Sequence, residues 1–239
     1  METGRIADQN VVSVTIKNSE YVKFFLDSAN LDEIRQANAW GIIDGVTTNP
    51  SLIAKEGVAI EDQIRRICDI VDGDISAEVV ATDARGMISE GRSLARVHHN
   101  IIVKVPLVPD GIVAAAEFAK EGIRTNVTLC FSAAQAILAA KAGAYIVSPF
   151  IGRVDDMGVQ GADVLADILT IYKNYGFKTQ VLAASVRGPL HVIQVAKAGA
   201  HIVTLTLKVL EQIFQHPLTE KGLAQFLKDH REAFELTTA

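Results

Sequence analysis

The chain has 239 residues, of which 49% are hydrophobic and 21% charged, with a formal net charge of −5. That much apolar material supports a large core and excludes a disordered or fibrous chain. The acidic balance gives no footprint for nucleic acid or an anionic membrane, and no run approaches the roughly 18 apolar residues of a membrane helix.

Residues 1–20 include the run VVSVTI and form an N-terminal extension that reads as an arm, a tag or an extra strand. Polar residues stand where a signal peptide would hold its apolar region, so the expected location is cytoplasmic. From Lys23 onward, apolar runs predict strands at 23–27, 43–47, 75–80, 101–105, 124–129, 145–149, 179–184 and 201–205. Segments such as 83–97, 111–121, 132–142, 159–175 and 189–198 have apolar residues three and four apart and predict helices. Gly143, Gly176 and Gly199 stand where a helix would close before the next strand. Pro217 opens a last amphipathic helix over 217–235. Its Leu223, Phe226, Leu227 and Phe234 share a stripe that covers the barrel or reaches a neighbouring subunit.

Strand alternating with helix implies parallel pairing, because each return crossover needs a dozen or more residues. Eight such units without a linker predict an α/β protein: a single (β/α)8 TIM barrel over residues 21–239 with an extra C-terminal helix. One such barrel typically takes about 250 residues. An open doubly wound sheet is the alternative.

Barrel chemistry sits at the C-terminal ends of the strands. There the sequence places Asp27, Thr47, Asn49, Glu78, Lys104, Asn126, Thr128, Ser148, Ser185 and Arg187. Lys104 lies within Ile-Ile-Val-Lys-Val-Pro, on the same strand face as Ile102 and opposite Val103 and Val105. In an apolar interior an amine loses stabilisation of its charged form and becomes a nucleophile towards a carbonyl. The competing reading is a strand lysine paired with Asp27 or Glu78, or one snorkelling from the rim. Aldol cleavage through a Schiff base needs a base for the neighbouring hydroxyl and an acid/base for carbinolamine dehydration. Asp27 and Glu78 suit those roles, Thr128 a water between Glu78 and the nitrogen, and Asn49 and Asn126 the sugar hydroxyls. The chemistry requires no cofactor and no metal.

Pro189 suits the first turn of a helix, so the preceding Ser185-Val-Arg187-Gly188 loop presents N–H groups to an anion. Arg187 and Arg153 would clamp that anion, or else pair with Asp155 or Asp156 at the surface. Asp155-Asp156 itself reads as a solvated acidic pair rather than a metal site. His98 and His99 fall at the opposite end of the barrel without a role. Trp40 reads as core, and Cys68 and Cys130 as buried thiols.

Six segments then resemble one family. They are Phe-Phe-Leu-Asp27-Ser-Ala-Asn, Gly45-Val-Thr-Thr-Asn49-Pro-Ser-Leu, Ala-Glu78-Val, Val-Lys104-Val-Pro, Thr-Asn126-Val-Thr128-Leu-Cys-Phe-Ser and Ser148-Pro-Phe150-Ile-Gly-Arg153. They resemble the transaldolases, in the short-chain branch shared with fructose-6-phosphate aldolase, from about Lys23 to Phe234. The resemblance implies Lys104 as the Schiff-base lysine, Asp27 as acid/base for bond cleavage, and Glu78 and Thr128 for the catalytic water. It implies Asn49, Asn126 and Ser148 for the dihydroxyacetone part, and Ser185, Arg187 and Arg153 for the phosphate. Aldolase members carry Gln and Tyr where this chain has Glu78 and Phe150, which favours transfer in the pentose phosphate pathway over release of free dihydroxyacetone. Short-branch members are decamers whose C-terminal helix packs on a neighbour, so a homo-oligomer is expected. Two departures bear on the acceptor and the terminal anion: Leu107-Val108-Pro109 after Lys104, and Thr206 in place of a proline. A transaldolase of sulfofructose would keep the same lysine chemistry with a sulfonate in place of the phosphate.

Overall fold

The computed structural model describes residues 21–238; the N-terminal extension lies outside them. Eight strands, β1 (Lys23–Asp27), β2 (Gly45–Thr47), β3 (Asp74–Glu78), β4 (Ile101–Pro106), β5 (Thr125–Cys130), β6 (Ile146–Pro149), β7 (Gln180–Ala183) and β8 (Ile202–Leu205), pair in sequence order. All pairs are parallel, and β8 closes on β1 through the register Phe25↔Thr204. This is the expected barrel, not an open sheet. Around it run α1 (Leu31–Ala39), α2 (Pro50–Glu56), α3 (Ile60–Cys68), α4 (Ala84–Ala95), α5 (Pro109–Lys120), α6 (Ala133–Lys141), α7 (Ile151–Asp155), α8 (Gly161–Tyr175), α9 (Pro189–Ala198), α10 (Leu207–Phe214) and α11 (Pro217–Thr238).

Strand alternation builds two cores. Phe25, Ile102, Ile146, Leu182, Ala184 and Ile202 point inward and plug the barrel. The residues between them, among them Val103, Val105, Val147, Val181 and Val203, face the helices and join Phe118, Leu165 and Ile168. Burying each such side chain contributes about 1.5–3 kcal/mol, so the helical shell is fixed by hydrophobic area rather than by polar contacts. Inside the barrel, Gly45 has no room for a side chain. A Cβ there would lie 2.4 Å from the Asp74 carbonyl oxygen and 2.7 Å from the Phe25 ring. The apolar plug fills the lower barrel, and the polar strand ends, themselves largely buried, stand above it.

The helix stops act as expected. Gly176 and Gly199 adopt left-handed φ values of 65° and 92° and turn α8 and α9 into β7 and β8. Cys68 and Cys130 are buried and free, and burial pushes both thiols up to about 11, which leaves them inert at neutral pH. Two expectations change. Trp40 is half-buried at the margin of the core rather than within it: it caps α1, packs against the helix-side core and meets Phe214 edge-on, ring centroids 5.1 Å apart. The α11 helix does not cover the barrel. None of its residues from Pro217 to Phe234 is buried, and Leu223, Phe226 and Leu227 are each more than half exposed. No described helix is long and apolar enough to cross a membrane.

Candidate active site

β3, β4 and β5 lie side by side with Glu78, Lys104 and Asn126 in register. Barrel closure therefore aims all three side chains into one space. Lys104 is only 6% exposed. Its Nζ donates to the Thr48 carbonyl oxygen at 2.8 Å and meets Glu78 Oε2 at 3.0 Å. An ammonium has three N–H groups, so one remains for the pocket. Both sequence readings of this residue meet here: the lysine is buried, and it is paired with Glu78.

On the opposite wall Asp27 ends β1. Its Oδ1 accepts a hydrogen bond from Thr47 Oγ1 at 2.8 Å. Because Thr47 gives its only proton to Asp27, the 2.6 Å contact between Thr47 and Thr204 makes Thr204 the donor. Burial raises the Asp27 carboxyl above its ordinary value, while the Lys104 charge and the Thr47 hydrogen bond pull it back. Asn49 caps α2, its side chain accepting from Leu52 N at 3.0 Å. The cap commits Oδ1 to the helix, so the residue offers a ligand its Nδ2 donors.

Asn126 is fully buried and held at both ends of its amide. It donates to Ser76 Oγ at 3.0 Å and accepts from Ser148 Oγ at 2.7 Å. Thr128 Oγ1 is buried with no hydrogen-bond partner. An orphan hydroxyl of this kind costs about 1–3 kcal/mol, which marks it as a place where a water or ligand belongs. It lies within a register shift in β5 between Val127 and Cys130, where Leu129 takes a left-handed φ of 58°. That conformation is uncommon for a bulky side chain and clusters at functional sites.

The terminal end of the pocket comes from β6 and β7. Phe150 packs edge-on against Phe131, centroids 5.7 Å apart, and lies 5.1 Å below the Arg153 guanidinium. Ser185 holds a second left-handed non-glycine backbone, φ 60°. Asp27, Thr47, Asn49, Lys104, Asn126, Thr128, Ser148, Phe150, Arg153 and Ser185 all line one pocket of about 140 Å3. Glu78 reaches Lys104 from outside that lining. The expected clamp is only half assembled, since the Arg187 guanidinium turns to Asp156 at 2.6 Å. The second reading of Arg187, a surface ion pair, therefore describes its contact in the structure. Asp155 and Asp156 are both exposed, as expected of a solvated pair, and Asp155 also meets His191 Nε2 at 3.0 Å and accepts from Gly161 N at 2.8 Å.

Sequence reasoning missed Thr204, which lines the pocket, Ser76, which holds Asn126, and His191. Thr204 had a signal: it shares the inward face of β8 with Ile202, as Lys104 does with Ile102. His191 had none, being one polar residue in a helical segment.

Comparison with known proteins follows the same lines. The profile of the transaldolase/fructose-6-phosphate aldolase family matches residues 24–238. A "Probable transaldolase" of Sorangium cellulosum is 55% identical over 215 residues, 90% of this chain and all of that protein. Proteins of the same description from Cytophaga hutchinsonii and Heliobacterium modesticaldum are 56% and 57% identical, over 88% and 87% of this chain and 99% and 97% of their own. Among solved structures, thiamine phosphate pyrophosphorylase from Pyrococcus furiosus superposes with a TM-score of 0.55 at 17% identity, covering 77% of this chain and 85% of that one. That likeness is one of fold alone.

Proposed function

Because the chain belongs to the transaldolase/fructose-6-phosphate aldolase family, we infer that this enzyme of transaldolase type carries a dihydroxyacetone unit on Lys104 from a ketose phosphate to an aldose phosphate. The observation that carries the reading is the buried Lys104 amine between a carboxylate at 3.0 Å and a pocket edged by a second carboxylate, Asp27.

The residues divide the work as follows. Glu78 takes a proton from the Lys104 ammonium, and the freed amine attacks the C2 carbonyl to give a carbinolamine. Glu78 returns a proton to the departing hydroxyl, by way of a water held on the orphan Thr128 Oγ1, and a protonated imine remains. The pair is also what later readmits water. Asp27 accepts the C4 hydroxyl proton as the C3–C4 bond breaks. The electron pair flows into the iminium, an aldose phosphate leaves, and the three-carbon enamine stays on Lys104. When an acceptor aldehyde arrives, the enamine carbon attacks it and Asp27 protonates the new alkoxide. Asn49, Asn126 and Ser148 hold the hydroxyls of the three-carbon unit, and Ser185 with Arg153 meets the terminal anion. Fructose 6-phosphate and sedoheptulose 7-phosphate are the donors this arrangement suits, as in the pentose phosphate pathway.

Glu78 and Phe150 support transfer over release, because the aldolase members carry Gln and Tyr at these places. A donor panel tests the assignment: fructose 6-phosphate, sedoheptulose 7-phosphate and 6-deoxy-6-sulfofructose, each with and without erythrose 4-phosphate. Phosphate donors that need the acceptor for turnover are the expected result. Free dihydroxyacetone appearing as fast as transfer would make the enzyme an aldolase, and a preference for the sulfonated sugar would replace the phosphate.

A further inference from the structure

We propose that His191 is a positioning residue for the terminal-anion end of the pocket, acting through the loop between β7 and α9. The proposal rests on the reading above that Ser185 and Arg153 meet that anion.

His191 is the third residue of α9. Its Nδ1 accepts a hydrogen bond from the backbone N–H of Arg187 at 3.2 Å, so in this state the ring proton sits on Nε2, which faces Asp155 Oδ2 at 3.0 Å. Two adjacent acids at the end of α7 thus hold the segment after β7. Asp155 holds it through His191, and Asp156 through the Arg187 guanidinium at 2.6 Å. The same short α7 carries Arg153, and the segment it grips carries Ser185. The two are in direct contact: a Cβ on Gly152 would lie 2.1 Å from the Ser185 carbonyl oxygen. Ser185 is held in a left-handed conformation that an unrestrained loop would relax. Both ring nitrogens of His191 are therefore used to fix the distance between two anion-binding residues that come from different strands. A histidine serving only as a helix cap would need its Nδ1 bond alone.

The two nitrogens can be tested separately. His191→Asn places an acceptor near the position of Nδ1, His191→Gln a donor near that of Nε2, and His191→Ala removes both. In each variant, kcat and KM for fructose 6-phosphate are compared with the rate of borohydride trapping by dihydroxyacetone, which has no terminal anion. His191→Ala should raise KM for fructose 6-phosphate about tenfold with kcat within about twofold and trapping unchanged. Because each replaces only one of the two contacts, His191→Asn and His191→Gln should each restore part of the loss and neither all of it. Equal losses towards both ligands, no loss in KM, or full rescue by Asn alone, as a simple helix cap would give, would overturn the proposal. If His191→Ala does not fold, Asp155→Asn gives the same comparison from the other side of the contact. A wild-type enzyme that trapped no dihydroxyacetone would instead contradict the lysine chemistry. One that bound fructose as well as fructose 6-phosphate would contradict the anion site itself.

Discussion

Lys104 and Glu78 stand opposite each other on neighbouring strands, and their charged ends meet at 3.0 Å with both side chains nearly buried, 7% and 13% exposed. A buried pair of this kind is weak evidence for stability, because desolvation offsets most of its Coulombic gain. Placed at the catalytic end of a barrel, it is better explained as a proton donor and acceptor held within one hydrogen bond. Lys104→Arg keeps a cation beside Glu78 but cannot form an imine. It should leave the fold intact and abolish turnover. Lys104→Met should also be inactive and lose about 3 kcal/mol in urea unfolding, since it strands the carboxylate. Turnover by the arginine variant would show another residue to be the nucleophile.

Asp27 gives a prediction about pH. Burial holds its carboxyl above the ordinary value in the folded state, so between those two values the folded chain binds more protons than the unfolded one. Stability contributed by this group is present at low pH and is lost as pH rises through that window. Asp27→Asn should therefore be at least as stable as the parent at pH 7 while losing about 10²–10⁴-fold in turnover. In the parent, turnover should fall as pH drops through the raised Asp27 value, because bond cleavage needs the carboxylate. Thermal melts across pH, read beside initial rates, check both parts. A variant less stable than the parent at pH 7 would assign Asp27 to folding.

The orphan hydroxyl of Thr128 separates folding from chemistry in the same way. Thr128→Val keeps the shape and removes a buried polar atom that has no protein partner. Its melting temperature should stay within about 2 °C of the parent, a difference of less than about 1 kcal/mol for a chain of this size. Turnover should drop about 100-fold through loss of the held water. Full activity in the valine variant would remove Thr128 from the water's path.

Beyond the site, α11 carries exposed Leu218, Leu223, Phe226 and Leu227. An apolar stripe on a terminal helix is costly to leave in water and suits burial against another copy of the chain. The parent should sediment as a homo-oligomer, and Phe226→Glu with Leu227→Glu should reduce its mass while leaving the far-ultraviolet circular dichroism of the barrel in place. A monomeric parent would contradict the assembly.

The barrel was legible because its two periods differ so plainly. Lys104 could be assigned to the interior from Ile102 alone, and the structure places both on that face. Short elements escaped: α7 is five residues long, too few for a helical period to register, although it carries Arg153. The site was legible where a residue type was foreign to its surroundings, as with a lysine in an apolar strand or asparagines at strand ends. At Thr204 the only signal was its place two residues after Ile202, because threonine is an ordinary strand residue and does not stand out by type. At Arg187 an anion clamp and a surface ion pair were both legible, and at His191 nothing was; the choice of Asp156 and Asp155 as partners is made only by how α7 packs on the loop after β7.

Whether Lys104 carries the substrate is tested by borohydride reduction of the enzyme with fructose 6-phosphate, followed by peptide mass mapping. A stable three-carbon or six-carbon adduct at Lys104 alone, absent from Lys104→Arg, is the expected result. A folded enzyme under saturating donor with no adduct, or with the adduct on another lysine, would contradict it.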